Sequence, residues 1–187
     1  MSGDERVPAW ARRGRAGWTH TGAARPPCAI APGPGQESVW DYPRPPVIVR
    51  DTREVIIRIG AHELARSRRA VRILETASAP TFYLPPDDLR RDWLEPGEGH
   101  SHCEWKGEAW YWTVVAPGQR LPRAVWSYPH PFPEFASIGG WFSCYPSMLE
   151  CLVDGVRAQP QAGGFYGGWV TPEVVGPFKG APGTAGW

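Results

Sequence analysis

The clearest alternation of apolar and polar positions runs over residues 108–115. Glu108, Trp110, Trp112 and Val114 share one side, and Ala109, Tyr111, Thr113 and Val115 share the other. A period of two with aromatic and β-branched residues predicts a strand. Neither side reads as polar, which predicts a central strand covered on both faces. Lys106-Gly107 stands at its mouth, where Gly107 permits a sharp turn or a close approach. Pro117-Gly118 then predicts a hairpin into residues 121–128.

The rest of the chain reads as a meander around that strand. Residues 47–50 and 54–59 read as two strands joined by a turn at Asp51-Thr52-Arg53, with Val55, Ile57 and Ile59 forming an apolar face. Gly60-Ala61-His62-Glu63 predicts the next turn, and residues 64–68, 70–76 and 81–84 continue as strands. Pro85-Pro86-Asp87-Asp88 opens a helical turn that runs to Leu94 and stops at Pro96-Gly97. A second short helix spans residues 133–138 and ends at Gly139-Gly140. Residues 141–145 read as a strand, and Asp154-Gly155 is the strongest hairpin signal in the chain.

Composition sets the limits of this mainly β domain. Gly and Pro number 22 each in 187 residues, close to the level of a disordered chain, but 11 Trp supply enough surface for a core. The expected division is a flexible or draped N-terminal tail over 1–37, a β domain over 38–157, and a Gly/Pro/aromatic-rich C-terminal tail over 158–187 that packs on the domain. The net charge of +1 provides no bulk field to recruit nucleic acid or an anionic membrane. No apolar run is long enough to span a bilayer. Cys28, Cys103, Cys144 and Cys151 form no Cys-x-x-Cys pair, and no secretory signal is evident. These features predict a cytoplasmic protein without a disulfide framework. Arg66, Arg68, Arg69 and Arg72 read as an outward strand face rather than a phosphate cradle, with Glu75 near enough to neutralise one of them.

Candidate chemistry gathers around Lys106. The favoured reading is a ligand site in which Trp40, Trp105, Trp112, Trp126 and Tyr128 line a cleft and Lys106 makes a polar contact with an unknown small molecule. An enzymatic reading uses Lys106 as a charge clamp or nucleophile and Glu108 as acid or base. A metal reading uses His100, His102 and Cys103, with Glu98 or Glu104 added, although no distant fourth ligand is evident. No cofactor is called for, and the sequence leaves partner and oligomeric state open.

Several stretches in order resemble the bacterial family called domain of unknown function 427. They are Val39-Trp40-Asp41-Tyr42-Pro43-Arg44-Pro45-Pro46, Ile73-Leu74-Glu75-Thr76, Thr81-Phe82-Tyr83-Leu84-Pro85-Pro86-Asp87-Asp88, Cys103-Glu104-Trp105-Lys106-Gly107, Tyr111-Trp112 and Ala124-Val125-Trp126-Ser127-Tyr128-Pro129. The resemblance covers residues 39–157 and implies a β-tent: two antiparallel sheets meeting at an angle, as in methionine sulfoxide reductase B and the ligand domain of cereblon. Many β-tents pin the apex with two Cys-x-x-Cys knuckles, which this chain lacks. Common family members read Tyr-Cys-Pro where this chain reads His102-Cys103-Glu104. The family is sometimes labelled nucleotidyltransferase, but this chain has no Gly-Ser followed by an Asp-x-Asp pair.

Overall fold

The computed structural model describes residues 7–184, 186 and 187; residues 1–6 of the expected N-terminal tail lie outside the described residues. The fold is mainly β. In chain order the strands are β1 (Glu37–Ser38), β2 (Val47–Arg50), β3 (Val55–Ile59), β4 (His62–Ser67), β5 (Val71–Leu74), β6 (Thr81–Tyr83), β7 (Leu94–Cys103) and β8 (Gly107–Ala116). After them come β9 (Gln119–Ser127), β10 (Phe142–Cys144), β11 (Glu150–Val153), β12 (Val156–Arg157), β13 (Gln159–Pro160), β14 (Trp169–Val170) and β15 (Val174–Val175).

Three antiparallel sheets carry the fold, in the orders β10-β9-β8-β7, β12-β11-β3-β4 and β2-β5-β6. The first and third are stitched together by reciprocal backbone bonds between Leu84 and Phe142 of 2.8 and 3.0 Å. Val55, Ile57, Ile59 and Leu64 of the second sheet pack with Val114, Val125 and Cys144 of the first. A second, aromatic core holds Tyr83, Trp105, Tyr111, Trp126, Tyr128 and Phe135. A third joins Val39, Trp40 and Tyr42 to Leu74 and Val174.

Local signals explain several elements. Asp154 and Gly155 sit at φ 47° and 77° between β11 and β12, the left-handed pair that a type I′ hairpin requires. Residues Pro133–Ile138 form a 3₁₀ helix that Gly139 ends. Between the predicted strands 47–50 and 54–59, by contrast, there is no hairpin. β2 pairs with β5 and β3 pairs with β4 and β11, so Asp51-Thr52-Arg53 is a crossing between sheets. The buried Asp51 carboxylate holds this crossing by a hydrogen bond from Arg53 at 2.6 Å and an ion pair with Arg72 at 3.2 Å. Pro96-Gly97 likewise ends nothing: it lies within β7, an edge strand where a missing N–H is tolerated, beside a register break between Pro96 and His100.

Both tails pack onto the sheets. The N-terminal segment forms α1 (Ala9–Ala16), a helix with no apolar period in its sequence to announce it. Tertiary contacts hold it: Arg15 Nε donates to the Glu104 carbonyl at 2.7 Å and its guanidinium lies 5.2 Å from the Trp105 ring. In the C-terminal segment Trp169 is fully buried, stacks on Phe82 at 4.9 Å and donates to the Cys144 carbonyl at 3.1 Å.

Candidate functional site

The site begins with the end of β7 and the start of β8. Alternation along β7 turns Ser101 and Cys103 inward, and alternation along β8 does the same for Ala109 and Tyr111. Glu104-Trp105-Lys106 forms the short turn between them. Gly107 closes that turn at φ 99°, a left-handed conformation that glycine adopts without a Cβ penalty. The Lys106 carbonyl accepts from Phe132 N at 3.1 Å, which fixes the loop and leaves the lysine side chain folded inward. Lys106 is only 9% exposed.

Around Lys106 lies a cavity of about 230 Å³. Its walls include Tyr83, Tyr111, Trp126, Tyr128 and Tyr145. Trp18 from the N-terminal segment and Phe165, Tyr166 and Lys179 from the C-terminal segment complete it. The wall is itself bonded: Trp126 Nε1 donates to the Tyr83 hydroxyl at 3.0 Å, and the Tyr111 hydroxyl donates to Ser101 Oγ at 2.8 Å. Lys106 Nζ sits 5.8 and 5.9 Å from the rings of Tyr128 and Phe135.

The cavity holds a buried charge cluster. Glu75 accepts from Lys179 Nζ at 2.9 Å and from Arg44 Nη2 at 3.3 Å. Burial alone would raise the Glu75 pKa, but Lys179, Lys106 and Arg44 together override it and hold the carboxyl below its usual range. Burial likewise pulls Lys106 down, yet Cys103, Tyr83 and Glu75 raise it above the ordinary lysine value on balance. With Tyr83 un-ionised near neutral pH, Glu75 is the charged neighbour that favours the Lys106 ammonium there. The Tyr83 phenol is pushed up to about 12, chiefly by burial, and remains neutral.

Of the residues expected at a cleft, Trp126, Tyr128 and Lys106 line this cavity. Trp40 does not: it is fully buried in the third core and donates to the Pro177 carbonyl at 3.1 Å. Trp105 packs in the aromatic core beneath Arg15, and Trp112 turns toward the main core, bonding Ser127 Oγ at 2.9 Å. Glu108 is on the outer face of β8. There it lies 4.0 Å from His100 and 3.8 Å from His102 and accepts from Trp110 Nε1 at 3.1 Å. At Glu108 and Trp110 this face is exposed, contrary to the expectation of a strand covered on both sides along its length, because only the side chains of His100, His102 and His130 lie against these two residues among the described ones. Strand alternation also separates Cys103 from the two histidines. Among the described residues no group of three or more His, Cys, Asp or Glu is arranged to hold a metal.

Sequence reasoning passed over Glu75, Lys179, Trp18 and Tyr145 as site residues. Glu75 does not serve the neighbouring arginines. Arg66 pairs with Glu63 and Glu54, Arg68 with Glu54, Arg69 with Asp88, and Arg72 with Glu37 and Asp51. Position 75 follows inward-facing Ile73 by two, so strand parity was the available signal. Lys179 had none, because its contact with Glu75 spans 104 residues. Another pairing hidden from local spacing is that of Cys144 and Cys151, free thiols whose Sγ atoms touch at 3.4 Å in the core.

A search of curated proteins found no match to the chain. A family model described as domain of unknown function (DUF427) matches residues 47–156. That segment is more than half of the 187 residues and includes Lys106, Glu75, Cys103 and most of the aromatic wall. The chain therefore belongs to the DUF427 family.

Proposed function

We propose that this protein is a small-ligand-binding β domain whose ligand occupies the cavity against Lys106. The observation that carries the reading is a buried ammonium group facing a cavity of about 230 Å³ walled by aromatic side chains. A concave, mostly preformed site with a few convergent polar groups is the usual form of a small-molecule site. At ~30 Å³ per water the volume equals about eight waters, which suits a one- or two-ring molecule. Residues from the matched segment and from both tails contribute to the wall, so the whole chain makes the site.

An acid–base pair of Lys106 and Glu108 finds no support, since Glu108 is on the outer face of its strand. A nucleophilic lysine finds little, since the amine is held protonated. Ligand-observed NMR with a panel of one- and two-ring fragments tests the binding reading. Binders are expected for the native chain and should be lost in Ala109→Phe, which places a ring in the cavity, while the melting curve stays cooperative. A panel without binders, or binders indifferent to that ring, would overturn the proposal.

A further inference from the structure

We infer that the ligand is a planar ring bearing an acidic group, a carboxylate or a phosphate, with the acid on the Lys106 ammonium and the ring against Trp126 and Tyr145. This deepens the binding reading above and rests on it.

The argument is one of charge balance. Lys106 is nine-tenths buried, yet among the described residues no carboxylate lies within ion-pair distance of it. Cys103, Tyr83 and Glu75 lie near enough to act on its charge, but none of them forms an ion pair with it. Burying a charge without a counter-ion is costly. Glu75 is already shared between Lys179 and Arg44, one negative charge against two positive, so it leaves nothing to offset Lys106. Glu104 at the rim accepts from the Trp18 indole at 2.7 Å. An incoming anion would therefore find Lys106 unspent, whereas an incoming cation would meet Lys106 and Lys179.

The ring faces agree. Those of Tyr128 and Phe135 already look onto Lys106, and those of Trp18 and Tyr166 lie 4.9 Å from Lys179 Nζ. Aromatic faces spent on resident cations offer little to a cationic ligand. Trp126 and Tyr145, with centroids 4.6 Å apart, have no cation over them among the described residues and offer ring surface instead. The volume admits one acidic substituent on a small ring system and leaves no room for a polyphosphate chain.

Cys103 is a built-in reporter. Cys28 is exposed and is replaced in a Cys28→Ser background; Cys144 and Cys151 are buried. The Cys103 thiolate displaces iodide from iodoacetate, which is anionic, or from iodoacetamide, which is neutral, in each case forming an S–CH₂ bond. The rate ratio of the two reagents cancels the reactivity of the thiol and reads the local charge. Relative to N-acetylcysteine, the acetate-to-amide ratio should rise at least fivefold at Cys103 and return to the free-thiol value in both Lys106→Met and Lys106→Gln. Benzoate or phenyl phosphate should protect Cys103 from iodoacetamide at concentrations at least tenfold below benzamide or benzylamine, and the two acids separate a carboxylate site from a phosphate site. A ratio equal to that of the free thiol overturns the inference, as it would be if a Cys103 thiolate itself neutralised Lys106. Protection by benzamide or benzylamine equal to that by the acids overturns it too, while leaving the binding reading intact. If neither reagent reaches Cys103 in the folded chain, the cavity is closed to small molecules and both readings fall.

Discussion

Glu75 binds two cations whose own side chains are almost fully buried, where water screens them weakly. Lys179 comes from the C-terminal segment and Arg44 from the residues leading into β2, so one carboxylate ties together three distant parts of the chain. Removing one partner of a buried ion pair leaves the other charge uncompensated. Glu75→Gln should therefore lower stability at pH 7 by about 3 kcal/mol, measured by urea unfolding. The pH dependence has a definite sign. The folded-state pKa of Glu75 lies below its ordinary value, so its contribution is present above the unfolded carboxylate value of about 4.3 and disappears as pH falls through the depressed folded value. The gap between native and Glu75→Gln chains should narrow as unfolding is repeated at pH values below about 4. Lys106 stood out in the sequence because it sits among aromatic residues beside a glycine. Nothing local distinguished Glu75, whose partners are fixed only when the tails dock.

At the scale of elements, β8 shows how far a two-residue period carries. Its inner positions Ala109, Tyr111 and Thr113 are buried as the alternation requires. Farther along, Trp112, Val114 and Ala116 pack into the main core from the opposite face while Thr113 stays buried, so this end of the strand is covered on both sides. Beside it β9 carries a bulge, residues 122–124 standing opposite Thr113 alone with Arg123 at φ 55°. Parity alone could not locate that bulge. The outer face of β8 at Glu108 and Trp110 looked coverable because tryptophan is usually buried, yet the fold leaves it open. The strip across the cavity mouth has a sharper constraint. A Cβ on Gly167 would fall 2.1 Å from the Trp126 ring. Gly167→Ala should lift residues 163–168 away from the wall. Hydrogen exchange there should quicken by severalfold, and alkylation of Cys103 should speed up with it; unchanged exchange would show that Trp126 yields instead.

The molecule as a whole is larger than its family segment. Residues 47–156 exclude Trp40 and Trp169, which are fully buried, and also Arg44 and Lys179, the two partners of Glu75. A fragment of those residues alone should therefore lose cooperative melting and the amide dispersion of the full chain in NMR spectra. A well-dispersed fragment spectrum would show instead that the tails only decorate a self-sufficient core. Among the described residues no helix is long and apolar enough to cross a membrane. Sequence by itself determined the strand-rich class, the Asp154-Gly155 hairpin, the short helix at residues 133–138 and the Lys106-Gly107 turn at the mouth of β8. These follow from side-chain parity, turn chemistry and proline geometry, which act over a few residues. Only the tertiary structure decided which strands pair across Asp51-Thr52-Arg53, that α1 forms, which rings face the cavity, and that Glu75 meets Lys179. Those outcomes depend on contacts between residues far apart in the chain, whose energies appear only once the sheets and tails have packed.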